Sequence, residues 1–165
     1  MEAPEVAFTG HRPNKLGGYA SDNPLKAAIQ RALHQRLAAL RPKRAWIGLA
    51  LGFDQWAAEV CVARGIPFVA CIPFVGQEEA WPQASRGAYY YLRGKAEYVL
   101  YFGPSYGELY FEIRDHFMVD RLRQPEDRLI ACWNGTSGGT ALTVAYAQKT
   151  LLPVQIDIMG PDQWT

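Results

Sequence analysis

Two rhythms of apolar residues run along this chain: short unbroken apolar runs, and longer stretches in which apolar positions return every three or four residues. The short runs are Val6-Ala7-Phe8, Ala45-Trp46-Ile47, Ile66 to Ile72, Tyr98 to Phe102 and Arg128 to Trp133, apolar after its first residue, and a sixth segment, Pro153 to Ile158, alternates around Gln155 and Asp157. Runs of this kind predict strands covered on both faces. In the longer rhythm, Leu25, Ile29, Ala32, Leu33, Leu37 and Leu40 share one helix face, between a start at Asn23-Pro24 and a stop at Arg41-Pro42. Phe53 to Arg64 predicts a second helix that buries Trp56, Ala57, Val60 and Cys61. A third carries Tyr89-Tyr90-Tyr91, a fourth runs from about Glu108 to Arg123, and a fifth follows Thr140 through Ala141 to Ala147. Strand and helix in alternation predict an α/β fold, with a single Rossmann-like, doubly wound, mainly parallel sheet and helices on both faces across residues 1–165.

The joints between strand and helix carry the candidate chemistry. After the first strand comes Thr9-Gly10-His11-Arg12-Pro13, where a glycine permits close backbone approach and His11 and Arg12 supply two cations. A surface turn with an incidental basic pair has the same sequence. After the second strand comes Gly48-Leu49-Ala50-Leu51-Gly52-Phe53-Asp54, whose glycines suit either a ligand or close helix–strand packing. Asp54 can cap the helix or bind a ribose hydroxyl. After the fifth strand, Asn134-Gly135-Thr136-Ser137-Gly138-Gly139-Thr140 is poor in side chains and opens into a helix. Freed N–H groups at such a helix start seat a phosphate, and Thr140 is read as the N-cap. In a doubly wound sheet the three joints can converge on one crevice.

Composition narrows the classes. A chain of 165 residues with 49% hydrophobic and 20% charged residues is globular. Its formal net charge of +1 leaves no electrostatic footprint for nucleic acid or an anionic membrane. The basic residues Arg31, Arg36, Arg41, Lys43 and Arg44 read as a solvated face. The run around Ile66 to Gly76 holds two prolines and is too short to span a bilayer, and the acidic start Met1 to Glu5 does not resemble a secretory signal. Cys61, Cys71 and Cys132 lack C-x-x-C spacing and sit in apolar runs, as buried reduced thiols of a cytoplasmic protein do. Glu112, His116 and Asp120 share one helix face, but a solvated stripe explains them and no metal is expected. Gln77 and Trp81, four apart, face one way on a helical turn; they can hold a purine or serve the core. The tyrosine triplet, with Trp81 and Trp133, supplies more rings than one small core buries, so a homo-oligomer is expected.

With these motifs laid out, the sequence resembles the YpsA-like branch of the SLOG superfamily of Rossmann-like nucleotide-binding domains. The resemblance rests on Thr9 to Pro13, on Gly48 to Asp54 with Trp56-Ala57-Ala58-Glu59, and on Ile72 to Gln77 with Trp81. It continues through Arg114 and Met118-Val119-Asp120 to Gly138-Gly139-Thr140 with Tyr146-Ala147. It implies a nucleotide or nucleotide-derived ligand, held by Thr9, Gly10, His11, Arg12, Gly48, Leu51, Gly52, Asp54, Phe74, Gln77, Trp81, Arg114, Asp115, Asn134, Gly138, Gly139 and Thr140.

Two departures qualify that expectation. Asp115 stands where relatives often carry asparagine, and its carboxylate disfavours an adjacent phosphate. The hydrolytic LOG-type branch is marked by P-G-G-x-G-T-x-x-E, and matching Gly139-Thr140 to its final G-T puts Thr143 in the place of the catalytic glutamate. Threonine can neither stabilise an oxocarbenium cation nor act as a base near neutral pH. The expectation is a non-enzymatic sensor or sequestering protein needing no cofactor, for a ligand of the NAD- or ADP-ribose-derived or cyclic kind. By family analogy alone, its setting is phage–bacteria conflict. The alternative is a nucleotide-processing hydrolase using Asp54, Glu78, Glu79 or Glu108 as its acid. A DNA-binding protein of the DprA kind is disfavoured by the near-neutral charge.

Overall fold

In the computed structural model, which describes residues 2–165, the apolar runs form six strands of one sheet. They are β1 (Glu5–Gly10), β2 (Arg44–Ile47), β3 (Phe68–Ile72), β4 (Tyr98–Tyr101), β5 (Arg128–Cys132) and β6 (Ile156–Met159). The helices are α1 (Pro24–Leu40), α2 (Phe53–Arg64), α3 (Arg86–Lys95), α4 (Glu108–Asp120) and α5 (Gly139–Thr150). Strand order is β4-β3-β2-β1-β5-β6, and every neighbouring pair is parallel, with Val6 opposite Ala45 and Gly10 opposite Cys132.

Successive side chains of a strand point to opposite faces, and here both faces are apolar. Val6, Phe8, Ile47 and Phe68 point into one layer, under Ile29 and Leu33 of α1, Phe53 and Val60 of α2, and Tyr89 and Leu92 of α3. Ala7, Val69, Cys71 and Leu129 point into the other, under Met118 and Val119 of α4 and Ala147 of α5. The chain therefore walks outward from β1 to β4 on one face, then crosses by α4 to lay β5 on the free side of β1. That reversal makes the gap between β1 and β5 the topological switch point of the sheet.

Several boundaries follow local chemistry rather than periodicity. Asn23 caps α1 as expected, its Oδ1 accepting the Leu25 N–H at 2.9 Å. The fourth helix stops at Asp120, short of Arg123, because Asp127 takes the N–H groups of Arg123 and Gln124, each at 2.8 Å, into a turn. The sixth strand starts only at Ile156: Pro153–Gln155 form a tight helical turn, closed by the Leu152 N–H on the Gln155 side-chain oxygen at 2.9 Å. Thr140 is not the cap of α5. The helix begins at Gly139 behind Gly138, whose φ of 141° makes the turn, so Thr140 already lies inside the first turn.

The basic residues lie at the surface as expected, and three are paired there: Arg36 with Asp157, Lys43 with Glu2 and Arg44 with Glu97. All three cysteines are free and buried, and burial pushes each thiol up to about 12. Of the tyrosine triplet, Tyr89 is buried while Tyr90 and Tyr91 are exposed. Among the described residues no helix is long and apolar enough to cross a membrane. Met1, at the head of the acidic start, lies outside the described residues.

Candidate functional site

All three joints reach a crevice of about 510 Å³ at the switch point. Thr9, Gly10, His11 and Arg12 come from the end of β1, Ala50 and Asp54 from the second joint, and Gly138, Gly139 and Thr140 from the start of α5. Helix α4 closes the remaining side with Glu108, Phe111, Arg114, Asp115 and Met118. Backbone bonds tie the joints together: the His11 N–H donates to Cys132 O at 3.1 Å, and the Phe53 N–H donates to His11 O at 3.2 Å.

The crevice has a cationic rim. Arg12 opens into it, yet protein crowds the guanidinium, and that dehydration lowers its pKa against the pull of Asp54, with Arg114 adding to the lowering. Among the described residues Arg12 has no side-chain hydrogen bond, whereas His11 and Arg114 beside it are held by Asn134 and Asp115. Lys15 reaches across to the last loop, Nζ donating to Thr136 Oγ1 at 3.0 Å and to Ser137 O at 3.3 Å. The first turn of α5 lies beside them with its N–H groups unsatisfied by any side-chain cap.

His11 is not the second cation that its sequence position offers. It is buried, and Nε2 lies 2.8 Å from Asn134 Oδ1. Burial holds the imidazole below the ordinary histidine range; Asn134 opposes this and Lys15 reinforces it. The cations of the rim are Arg12 and Lys15. The short turn Pro13–Lys15 sets them three residues apart on one side, a signal readable in His11-Arg12-Pro13-Asn14-Lys15 once the turn is recognised.

The floor is a compensated charge cluster. Arg114, 5% exposed, donates from Nε to Asp115 Oδ1 at 2.6 Å and from Nη1 to Cys71 O at 3.1 Å and Gly48 O at 3.3 Å. Burial works against its charge, but Asp115 and Asp54 outweigh that and raise its pKa. Asp54 does not cap α2; its Oδ2 accepts the Ala50 N–H at 3.3 Å. Burial lifts its carboxyl to about 6, opposed by Arg114 and then Arg12. Asp115 is fixed from the other side by Thr143, whose Oγ1 lies 3.1 Å from Asp115 Oδ2 and 3.1 Å from Gly139 O. Thr143 is 1% exposed and serves this scaffold rather than the crevice wall.

Of the residues expected at a ligand, Gly48, Leu51, Gly52 and Asn134 do not line the crevice. Gly48 is covered by the Arg114 guanidinium, and Gly52 packs on the His11 carbonyl. Leu51 is buried, and Asn134 stands behind His11. Phe74, Gln77 and Trp81 line a neighbouring cavity of about 470 Å³ that shares Arg12 and Phe111 with the crevice. Gln77 is turned inward, Nε2 donating to Gly48 O at 3.2 Å. The crevice also uses Phe8, Asn14, Phe111 and Met118, which the loop motifs did not single out. Phe111 and Met118 were legible only as one face of α4, seven residues apart.

The acidic stripe of α4 is otherwise engaged. His116 stacks on Tyr146 at 3.7 Å between ring centres, and the Tyr146 hydroxyl donates to Asp120 at 2.7 Å. Among the described residues no three of His, Cys, Asp or Glu are grouped to hold a metal ion.

The model of the YspA SLOG family matches residues 6–149 of the chain. A UPF0398 protein of Bacillus thuringiensis (strain Al Hakam) is 26% identical, over 87% of this chain and 82% of that protein. A UPF0398 protein of Bacillus cereus (strain B4264) is 25% identical with the same coverage. Among solved structures, DNA processing protein A (DprA) from Streptococcus pneumoniae superposes with a TM-score of 0.62 at 18% identity, covering 97% of this chain and 60% of that one. DprA from Helicobacter pylori, described for its single-stranded DNA binding mode, gives 0.61 at 17% identity, covering 94% and 65%. At these identities the likeness to DprA is one of fold, and the chain spans less than two thirds of either DprA.

Proposed function

The chain belongs to the YspA SLOG family, and from that membership and the crevice we propose that it binds a nucleotide or nucleotide-derived signal as a non-enzymatic sensor or sequestering protein. One observation carries this reading: Arg12, with no partner for its guanidinium among the described residues, meets Lys15 and the uncapped start of α5 across the mouth of the switch-point crevice. A phosphate there gains a charge-assisted hydrogen bond from Arg12 and backbone N–H groups from Gly139 onward. The floor suits a different part of the ligand. Asp54 and Asp115 repel phosphate and accept hydrogen bonds from ribose hydroxyls. The ligand therefore lies with its phosphates at the rim and its sugar over the floor.

Thr143, locked between Asp115 and Gly139, has no catalytic part in this reading. A hydrolase remains the alternative because of Asp54, a carboxyl lifted to about 6 inside the crevice and able to exchange a proton near neutral pH. Mass spectrometry of small molecules released from the purified protein tests the binding. Recovery of a nucleotide intact after incubation supports the sensor, and recovery of a free base or sugar phosphate supports the hydrolase. Binding of single-stranded DNA, described for the Helicobacter pylori protein, is a third outcome; a gel shift that weakens steeply with salt identifies it. The exposed rings of Tyr90, Tyr91, Tyr98 and Tyr101 support self-association. Light scattering that gives a monomer mass across the micromolar range removes that part of the proposal.

A further inference from the structure

Arg12 and Phe111 stand at a seam. On one side lies the crevice with its rim and acidic floor; on the other lies the second cavity, of about 470 Å³, walled by Phe74, Trp81, Tyr106 and Phe111. The chemistry changes across that seam. The second cavity has a cation only at its entrance, and Glu79 is the one carboxylate in its wall. Phosphate belongs at the seam and is disfavoured beyond it. The aromatic walls are braced. Phe74 is held edge-on between Tyr106 and Phe111, both at 5.3 Å between ring centres, and Trp81 stands edge-on to buried Tyr89 at 5.2 Å. Tyr106 lines this cavity and is 68% exposed, which leaves ring surface for a planar guest.

Resting on the nucleotide reading above, we infer that this aromatic cavity takes a second ring-bearing group of the same ligand, joined to the first nucleotide through an anionic linker held by Arg12. The ligand class is then a dinucleotide-like molecule, two ring systems flanking a pyrophosphate, rather than a mononucleotide. The two cavities together, each within the size range of small-molecule sites, give such a ligand room that one alone does not. Stacking on an aromatic side chain is tolerant of which base is bound, so the cavity selects a flat ring rather than one particular base.

The probes are the common nucleoside 5′-diphosphates and the symmetric dinucleoside diphosphates carrying the same bases at both ends of one pyrophosphate. Each is titrated calorimetrically into the wild-type protein, Tyr106→Ala and Tyr106→Phe. The expected result is roughly tenfold or greater preference for the dinucleoside form, from one added stack. Tyr106→Ala abolishes most of that preference and leaves diphosphate affinity unchanged, while Tyr106→Phe keeps it. Equal affinity for both probe classes, or equal losses for both in Tyr106→Ala, overturns the inference while leaving the nucleotide reading standing. Failure of every probe to bind overturns the nucleotide reading and this inference with it.

Discussion

The joint after β2 and the joint after β5 are written in the same letters, glycines between a strand and a helix, and they serve opposite ends. In the first, protein fills the space that each glycine leaves. The Arg114 guanidinium occupies the place of a Gly48 side chain, and a Cβ on Gly52, at φ 92°, would stand 2.6 Å from the His11 carbonyl oxygen. In the second, Gly139 has nothing within 4 Å of the same position, and the nearest atom to Gly138 is Lys15 Nζ at 4.0 Å. Glycines of the first joint let the chain approach itself. Those of the second clear a space that the folded chain leaves open, beside two cations and a helix start. A glycine's neighbours, not its frequency in a loop, distinguish a packed joint from an open one.

That contrast can be broken most strongly at Gly52. Gly52→Ala adds left-handed backbone strain to a clash with backbone that cannot rotate away, for a loss of about 3–4 kcal/mol. The melting temperature should fall by roughly 6–16 °C in a domain of this size. A melting curve unchanged from wild type would show that the joint has room to spare.

The charge buried under the same joint gives the next effect, read as pH dependence. Asp54 ionises at about 6 in the folded protein against an ordinary 3.8. Between those values the unfolded chain has released its proton and the folded chain has kept it. The Asp54 contribution to stability is therefore fullest below pH 4, declines as pH rises to 6, and is level above, an amplitude of about 3 kcal/mol. Denaturant titrations across that range should show wild type losing stability relative to Asp54→Asn. A wild type that gained stability relative to Asp54→Asn over the same window would reverse the assignment.

A smaller effect, confined to binding, is expected at the rim. Arg12→Ala should weaken a nucleoside diphosphate by roughly 1.5–3 kcal/mol, the scale of a charged hydrogen bond. Because no group among the described residues pairs with Arg12, the melting temperature should stay put. Unchanged affinity with an intact fold would remove Arg12 from the site.

The layered fold was legible because it rests on local facts: apolar runs of strand length, helical spacing, and the Asn23-Pro24 cap. The convergence of three joints was also legible, since a doubly wound sheet brings them together. What stayed hidden depends on partners far along the chain. His11 reads as a cation until Asn134, 123 residues on, is found holding its ring in a buried place. Arg114, which lines the crevice, reads as an unpaired cation until its donors are found on Asp115, Cys71 and Gly48. Gly48 and Gly139 are indistinguishable until something is, or is not, packed against them. Thr140 was misplaced for a local reason, because a glycine at φ 141° starts a helix without a side-chain cap and leaves no mark that a threonine nearby does not also leave.

The claim that the start of α5 cradles phosphate is tested most directly at Gly139, where a side chain meets no protein. The measurement is paired: melting temperature without ligand, and affinity for a nucleoside and for its diphosphate, in wild type, Gly139→Ala and Gly139→Glu. The expected outcome is a melting temperature within a few degrees of wild type for both variants, small changes on the roughly 0.5–1 kcal/mol scale of a glycine substitution. Gly139→Glu should lose the diphosphate selectively while nucleoside binding is largely kept. A collapsed melting temperature in the free protein, or equal losses for nucleoside and diphosphate, would contradict the cradle and return Gly139 to the same packing role as Gly52.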